Sequence, residues 1–394
     1  MQPISDSRRG LPQPDPVSAA HSATCAAHLR KLIAAAGGSI SFAQFMHEAL
    51  YAPGLGYYSA GSSKLGAAGD FTTAPEISPL FGRIVANQAA FVLKQLDGGD
   101  VLEFGAGSGA LAVAMLRKLA ELDSLPRQYL ILEVSADLRA RQEVRLQQQL
   151  PQMFERIRWV SQIPQEFIGV AIANEVADAI PVERFRIVGG DVQQARVCVQ
   201  DGLFAWQFAA APDFLEKAVR DIESATGRPF VDGYESEVSP GLAGWVADLS
   251  AAVARGMILL IDYGVTRNEY YAPDRPCGWL RCHFRHHAHE DPLILPGIQD
   301  LTSWVDFSAV ADAASGMTIA GYVTQAHFLM NGGLETELVN FPDLPIAEQV
   351  KLSGQVKTLT LPAEMGENFK CIGLLRGELK APPALCGQDR THLL

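Results

Sequence analysis

From Asp100 onward, apolar runs too short to be helices alternate with longer amphipathic stretches. Val101-Leu102-Glu103-Phe104 predicts a first buried strand, with a helix over 111–122 behind it. Tyr129-Leu130-Ile131-Leu132 predicts a second strand, followed by a polar, strongly helical stretch over 137–150. Residues 157–160 and 169–173 predict a third and a fourth. Strands alternating with helices at this spacing imply an α/β fold around a parallel sheet with right-handed crossovers.

Upstream, the Ala- and Leu-rich residues 21–36 predict a helix that Gly37-Gly38 stops. Ser41 is placed to cap another, which carries Phe42, Phe45, Met46 and Ala49 on one face. A turn-rich stretch over 51–59, a glycine-rich one over 61–69 and a helix over 78–96 follow. Downstream, residues 184–209 alternate as hairpin strands turning at Gly189-Gly190 and Asp201-Gly202. Helices are predicted over 213–225, 241–255, 307–314 and 347–356, and strands over 257–261, 318–324 and 369–375. The polar and aromatic residues 265–300 predict a cap or substrate segment. The implied organisation is a flexible leader (1–20), a helical N-terminal lid segment (21–98) and a Rossmann-like core (99–183 and 256–378). Inserted hairpins and helices (184–255), a cap within the core (265–306) and a tail (379–394) complete it.

The length of 394 residues and 48% hydrophobic content suffice for a large core. Lys and Arg number 32 against 44 Asp and Glu, so the net charge is 32 − 44 = −12, which disfavours a nucleic-acid partner. Six scattered cysteines have no disulfide-framework spacing and read as reduced thiols. No apolar run reaches the roughly 18 residues of a membrane span, and residues 1–20 lack the apolar core of a signal peptide. These features predict a cytoplasmic protein, bacterial rather than from the mitochondrial matrix, with a homodimer left open.

The sharpest chemistry lies at the end of the first strand. Gly105 and Gly107 let the backbone turn tightly and approach a ligand without a Cβ between them, and Gly109 opens the helix. With Ala110 the glycines also fit the dinucleotide pattern, so they admit both a nicotinamide cofactor and S-adenosyl-L-methionine. Glu103, two residues before the first glycine, suits a cofactor bearing an ammonium and a sulfonium better than one bearing a pyrophosphate. Glu133, ending the second strand, suits two ribose hydroxyls and serves either cofactor. The fourth strand ends in Asn174-Glu175, polar groups beside the position of a transferring methyl. Together these favour S-adenosyl-L-methionine.

Several segments carry a resemblance. They include Tyr51-Ala52-Pro53-Gly54-Leu55-Gly56-Tyr57-Tyr58, Gly69-Asp70-Phe71-Thr72-Thr73-Ala74-Pro75-Glu76-Ile77-Ser78, and the turn from Glu103 to Gly109. Leu132-Glu133-Val134-Ser135, Ala173-Asn174-Glu175-Val176-Ala177-Asp178-Ala179-Ile180-Pro181-Val182 and Ile261-Asp262-Tyr263-Gly264 complete the main set. In this order they resemble the MidA-like family of class I methyltransferases, which includes a mitochondrial complex I assembly factor that methylates arginine. The resemblance implies a methyltransferase sheet with extra segments closing over the site, S-adenosyl-L-methionine as cofactor, and an arginine-bearing protein as substrate. It also makes Asp70, Phe71 and Thr72 cofactor or lid residues. Ala177 departs from the family, which usually has a larger residue there, and Ser303-Trp304 replaces a pair that is often Ala-His.

Methyl transfer from a sulfonium is an in-line displacement that needs alignment and a neutral nucleophile. An arginine is protonated in water, so carboxylates must hold its guanidinium and localise the charge on the other nitrogens. Glu175 is the first choice for that grip, Asp178 the second, and Asn174 supplies an amide. A capping role is the alternative for both acids. Asp262-Tyr263-Gly264 is a candidate for shaping a substrate channel, and Glu237 is read as a solvated loop acid. Cys277, Cys282, His283, His286, His287 and His289 are dense but match no standard metal spacing, so no metal is expected. Three alternatives remain open at this level. A nicotinamide-dependent dehydrogenase would need a Tyr-x-x-x-Lys or a comparable His site. A non-catalytic assembly factor would have eroded Glu103, Gly105, Gly107 or Glu133, all of which are present. Methylation of another nucleophile, a small molecule or a different side chain, is the third alternative.

Overall fold

A computed structural model of the chain describes residues 10–59 and 73–394. The chain divides into two compact units. One comprises Thr72–Asp178, Ala243–Thr266 and Val305–Leu394; the other comprises Met1–Phe71, Ala179–Leu242 and Arg267–Trp304.

The first unit is built on an eight-stranded sheet. Its strands are β1 (Asp100–Phe104), β2 (Tyr129–Leu132), β3 (Ile157–Val160), β4 (Phe167–Asn174), β5 (Val253–Val265), β6 (Val305–Asp306), β7 (Thr318–Thr324) and β8 (Phe369–Arg376). The spatial order is β3-β2-β1-β4-β5-β8-β7, with β6 paired to the end of β5. The run 3-2-1-4-5 is that of doubly wound nucleotide-binding sheets, and it is parallel throughout. Only β8, slotted between β5 and β7, runs antiparallel to both neighbours. The expected α/β class and mostly parallel sheet are therefore present. The strands are apolar because helices cover them. Phe81, Ile84, Val85, Met115, Tyr129, Ile131, Ile172 and Phe369 lie in one continuous buried cluster. Each such side chain contributes about 1.5–3 kcal/mol on leaving water.

The helices start where their caps are. Ser78 accepts from Leu80 N ahead of Pro79–Gln95, and Ser135 accepts from Leu138 N ahead of Ala136–Gln149. Gly109, at φ +83°, opens Ala110–Glu121. The helix expected over 241–255 is shorter, Pro240–Ala252, because the chain switches to β5 at Val253, which pairs with Phe167. Residues 379–394, read as a tail, pack onto this unit. Ala384 and Leu385 are buried, Ala384 N donates to Gln88 Oε1 at 3.0 Å, and Asp389 accepts Tyr322 N at 2.8 Å.

The second unit carries a five-stranded antiparallel sheet from Ser39–Ser41, Glu183–Val188, Asp191–Gln200, Leu203–Ala210 and Glu235–Val238. Its two tight turns are the expected ones, with Gly189, Gly190, Asp201 and Gly202 all at positive φ, as hairpins of matching twist require. Helix Phe42–Tyr51 buries Phe42, Phe45, Met46, Ala49 and Leu50, and Ser41 caps it through Gln44 N at 3.2 Å. Helix Pro16–Ala35 begins inside the stretch read as a leader, because Asp15 caps it through Val17 N and Ser18 N. Residues 265–300, the expected cap or substrate segment, contain most of a three-stranded sheet formed by Leu280–Phe284, His287–His289 and Asp300–Ser303. Among the described residues no helix is long and apolar enough to cross a membrane.

Candidate active site

The candidate residues of the first unit sit at the carboxyl ends of β1, β2, β4 and β5, the edge at which open α/β sheets bind ligands. β1 runs into Gly105, Gly107 and Gly109, at φ +57°, +53° and +83°. A side chain in this left-handed region is strained, so the glycines are there for the shape of the turn. Gly105 N donates to Leu132 O at 3.0 Å and binds the turn to the end of β2. Ser108 is pinned from outside. Its hydroxyl donates to Glu76 Oε1, and Arg145 Nη1 donates to the Ser108 hydroxyl at 2.6 Å and to Glu76 at 3.3 Å.

Glu103 lies behind this turn. It is 2% exposed and accepts the Tyr129 hydroxyl at 2.6 Å, so its hydrogen-bond partner is the neighbouring strand. Burial pushes its carboxyl up to about 7, the Tyr129 hydroxyl pulls it down, and the charge of Glu133 adds to the rise. Glu133 is half-buried at the end of β2. Its Oε1 accepts Ser135 N at 2.9 Å and its Oε2 accepts Gln142 Nε2 at 2.9 Å. Burial raises this carboxyl too, against those two donors.

At the end of β4, Asn174 is 9% exposed and donates through Nδ2 to Glu175 Oε1 at 3.0 Å. Its Oδ1 is buried and has no hydrogen-bond partner among the described residues. Glu175 turns the chain through φ +55°, a conformation costly for a residue with a side chain. Besides the Asn174 amide, Glu175 N donates to Ile261 O at 2.9 Å, and Glu175 Oε1 accepts Ala74 N at 3.2 Å. The short helix Ala74–Ile77 thus touches the β4 turn through Ala74 and the glycine turn through Glu76.

Asp262, on β5, is buried and turned into the protein. Its Oδ2 accepts the consecutive amides of Val176, Ala177 and Asp178 at 3.2, 2.9 and 3.2 Å, and its Oδ1 accepts Tyr263 N at 2.8 Å. It is the clamp that shapes the turn bearing Glu175 and Asp178. Burial pushes its carboxyl up to about 7 even against those four amides. Asp178 is 8% exposed. The Tyr263 phenol is raised by burial and then by the negative charges of Glu175, Asp178 and Asp262.

Other readings change. Glu237 is fully buried on strand Glu235–Val238, not a solvated loop acid. Arg184 Nε stands 3.2 Å from its Oε1, and Trp279 N donates to its Oε2 at 2.8 Å. His286 and His287 are exposed and Cys282 is buried. Among the described residues no three His, Cys, Asp or Glu side chains are grouped to hold a metal. Asp70, Phe71 and Thr72 lie outside the described residues. Tyr129, Gln142 and Arg145 were not singled out from the sequence. Glu76 appeared there only as part of a motif, and its spacing from Ser108 gives no local signal.

A family model described as "Putative S-adenosyl-L-methionine-dependent methyltransferase" matches residues 84–323. A Burkholderia thailandensis protein crystallised with S-adenosyl-homocysteine superposes with a TM-score of 0.91 at 38% identity, covering 98% of this chain and 100% of that one. The mitochondrial protein arginine methyltransferase NDUFAF7 of Mus musculus is 30% identical over 372 residues, 86% of this chain and 81% of its own length. Its homolog in Drosophila melanogaster is 29% identical over 381 residues, 87% of this chain and 83% of its own.

Proposed function

The chain belongs to the family of S-adenosyl-L-methionine-dependent methyltransferases, and we propose that it methylates an arginine side chain of a partner protein. The residues fit the cofactor. A turn built on three left-handed glycines, a half-buried carboxylate at the end of the neighbouring strand and the Oδ1 of Asn174, without a partner among the described residues, offer shape, acceptors and an open acceptor for an N–H donor. When bound, the cofactor supplies an electrophilic methyl on a sulfonium. In this reading Gly105, Gly107 and Gly109 let the backbone close on it, Glu133 takes the ribose hydroxyls, and Asn174 accepts from the ammonium. Glu103 acts through its buried charge. Asp70, Phe71 and Thr72 remain proposed cofactor contacts on the family resemblance alone.

The observation that carries the arginine reading is that Glu175 and Asp178 stand three residues apart in one turn after β4, whose shape Asp262 fixes through the amides of Val176, Ala177 and Asp178. A guanidinium held by two carboxylates keeps its charge on the held nitrogens and leaves the third with lone-pair character at the moment of transfer. Glu175 grips the substrate, and Asp178 shares the grip and accepts the departing proton. The relatives named as protein arginine methyltransferases support the same substrate class. The proposal extends to a cytoplasmic location, tested by fractionation of the native host.

The test uses the purified chain, radiolabelled S-adenosyl-L-methionine and a set of arginine-bearing proteins, with mass spectrometry of the modified residue. Methylarginine is expected. Glu175→Gln keeps the shape and removes the charge, so kcat falls about 10²-fold or more while cofactor affinity stays within about three-fold. Methyl groups found only on lysine, or only on small molecules, would sink the arginine reading.

A further inference from the structure

Helix Ala136–Gln149 is polar almost throughout, and only two of its residues are buried, Leu146 and Gln142. Gln142 is fully buried. A buried amide is unfavourable unless every polar atom finds a partner, and a leucine of similar size would need none. Gln142 meets that condition. One Nε2 hydrogen goes to Gly107 O at 2.9 Å and the other to Glu133 Oε2 at 2.9 Å, while Oε1 accepts Trp159 Nε1–H at 2.9 Å. Because the indole can only donate and both other partners can only accept, the amide has one possible orientation.

We infer that Gln142 is a positioning residue for the cofactor, locking the glycine turn and the ribose-binding carboxylate of Glu133 into one rigid unit. This rests on the reading of Glu133 as the ribose contact. Three features single out glutamine for the task. It grips one oxygen of Glu133 while Ser135 N grips the other, which fixes the plane of the carboxylate and leaves each oxygen a lone pair for a hydroxyl. It is neutral, so it orients the carboxylate without neutralising it, as an arginine or lysine there would, and adds no positive charge near a sulfonium. It reaches the carbonyl of Gly107, in the turn whose backbone is held at φ +53°. The turn and the carboxylate sit on different strand ends, and Gln142 is the side chain that bonds to both.

The test compares Gln142→Met, which keeps the bulk and removes the amide, with the parent. Binding of S-adenosyl-homocysteine and of its 2′,3′-dideoxy analogue is measured by calorimetry, with melting curves to check folding. The expected result is a loss of about ten-fold or more for S-adenosyl-homocysteine in the variant. The dideoxy analogue binds the parent weakly and loses clearly less in the variant, because Glu133 has no hydroxyl to meet. Trp159→Phe, which frees the amide to rotate without deleting it, gives a smaller loss in the same direction and keeps the proposal testable if the first variant fails to fold. Equal losses for both ligands mean a merely structural role and overturn the inference, as does parental affinity in Gln142→Met. Failure of the functional reading appears elsewhere, in the parent itself: no binding of S-adenosyl-homocysteine, or equal affinity for the dideoxy analogue, would remove the cofactor or the ribose role on which the inference stands.

Discussion

Glu103 offers a test in which charge alone is changed. Its carboxyl is buried and pushed up to about 7, against an ordinary value of 4.5. That gap corresponds to about 3 kcal/mol between its two protonation states. The group is 2% exposed, so solvent screening takes little from this figure. Because the folded value lies above the unfolded one, the stabilisation is fully present below pH 4.5 and is lost as pH rises through 7. Glu103→Gln keeps an acceptor for the Tyr129 hydroxyl, now 2.6 Å from the carboxylate, and removes the ionisation. The ligand-free variant should therefore gain on the parent by about 2–3 kcal/mol between pH 5 and pH 8. In melting temperature this is about 5 °C for a unit of this size. Glu133 is raised as well, but it is present in both proteins and contributes little to the difference. The same charge should matter in the opposite sense for function. The parent should bind cationic S-adenosyl-L-methionine more tightly as pH rises from 6 to 8 and release a proton on binding. S-adenosyl-homocysteine, lacking the sulfonium, should show a shallower slope, and Glu103→Gln should lose the slope for both. Melting curves of parent and variant that run parallel within 1 °C from pH 5 to pH 8 would refute the account of Glu103.

Two further changes test other parts of the structure. Gly107→Val forces a β-branched residue to φ +53°, which costs roughly 2 kcal/mol or more locally, and it should abolish saturable S-adenosyl-L-methionine binding in calorimetry; unchanged affinity would contradict the close approach of the turn. Arg184→Met leaves the fully buried Glu237 without its ion-pair partner and should cost about 3–5 kcal/mol in thermal unfolding, whereas adding Glu237→Gln should recover most of it; a single variant that melts like the parent would show that the pair is not needed.

Much of the fold could be read in the sequence because the relevant forces are local. The core strands are mostly apolar, and their helices carry caps and amphipathic spacing, so Tyr129–Leu132 and Ile157–Val160 stand at the expected residues. The rest lies where a local signal is missing or the partner is distant in sequence. Arg285 and His286 form a hairpin turn at φ +50° and +63° without the asparagine or glycine that announces one, so nothing in the cap segment signals the strands Leu280–Phe284 and His287–His289. Glu-Ser-Glu-Val looks like solvated polar chain until Arg184, cross-strand from Glu237, supplies the charge that lets it be buried. The stretch after 379 has no periodicity, and it is held through Gln88 and Tyr322, far upstream.

The candidate site divides in the same way. Glycines declare their own geometry, since left-handed backbone at Gly105, Gly107 and Gly109 is a property of the residue type. Glu175 does not. Nothing in its side chain asks for φ +55°, and the strain is imposed from outside by Ile261 O, which takes its amide, and by Asp262, which takes the next three. Asp262 was noticed for lying at a strand end, but a carboxylate facing solvent and one facing a ring of amides are the same letter. Gln142 was invisible for a stronger reason. On a helix with almost no apolar face, a glutamine is the expected surface residue, and only the packing of Trp159 and the approach of Gly107 turn it into a buried connector. Residues whose chemistry is intrinsic can thus be found from sequence, whereas residues that aim that chemistry are recognisable only by what surrounds them. A variant series confined to the recognisable motif would accordingly probe the binding groups and miss those that hold them in register.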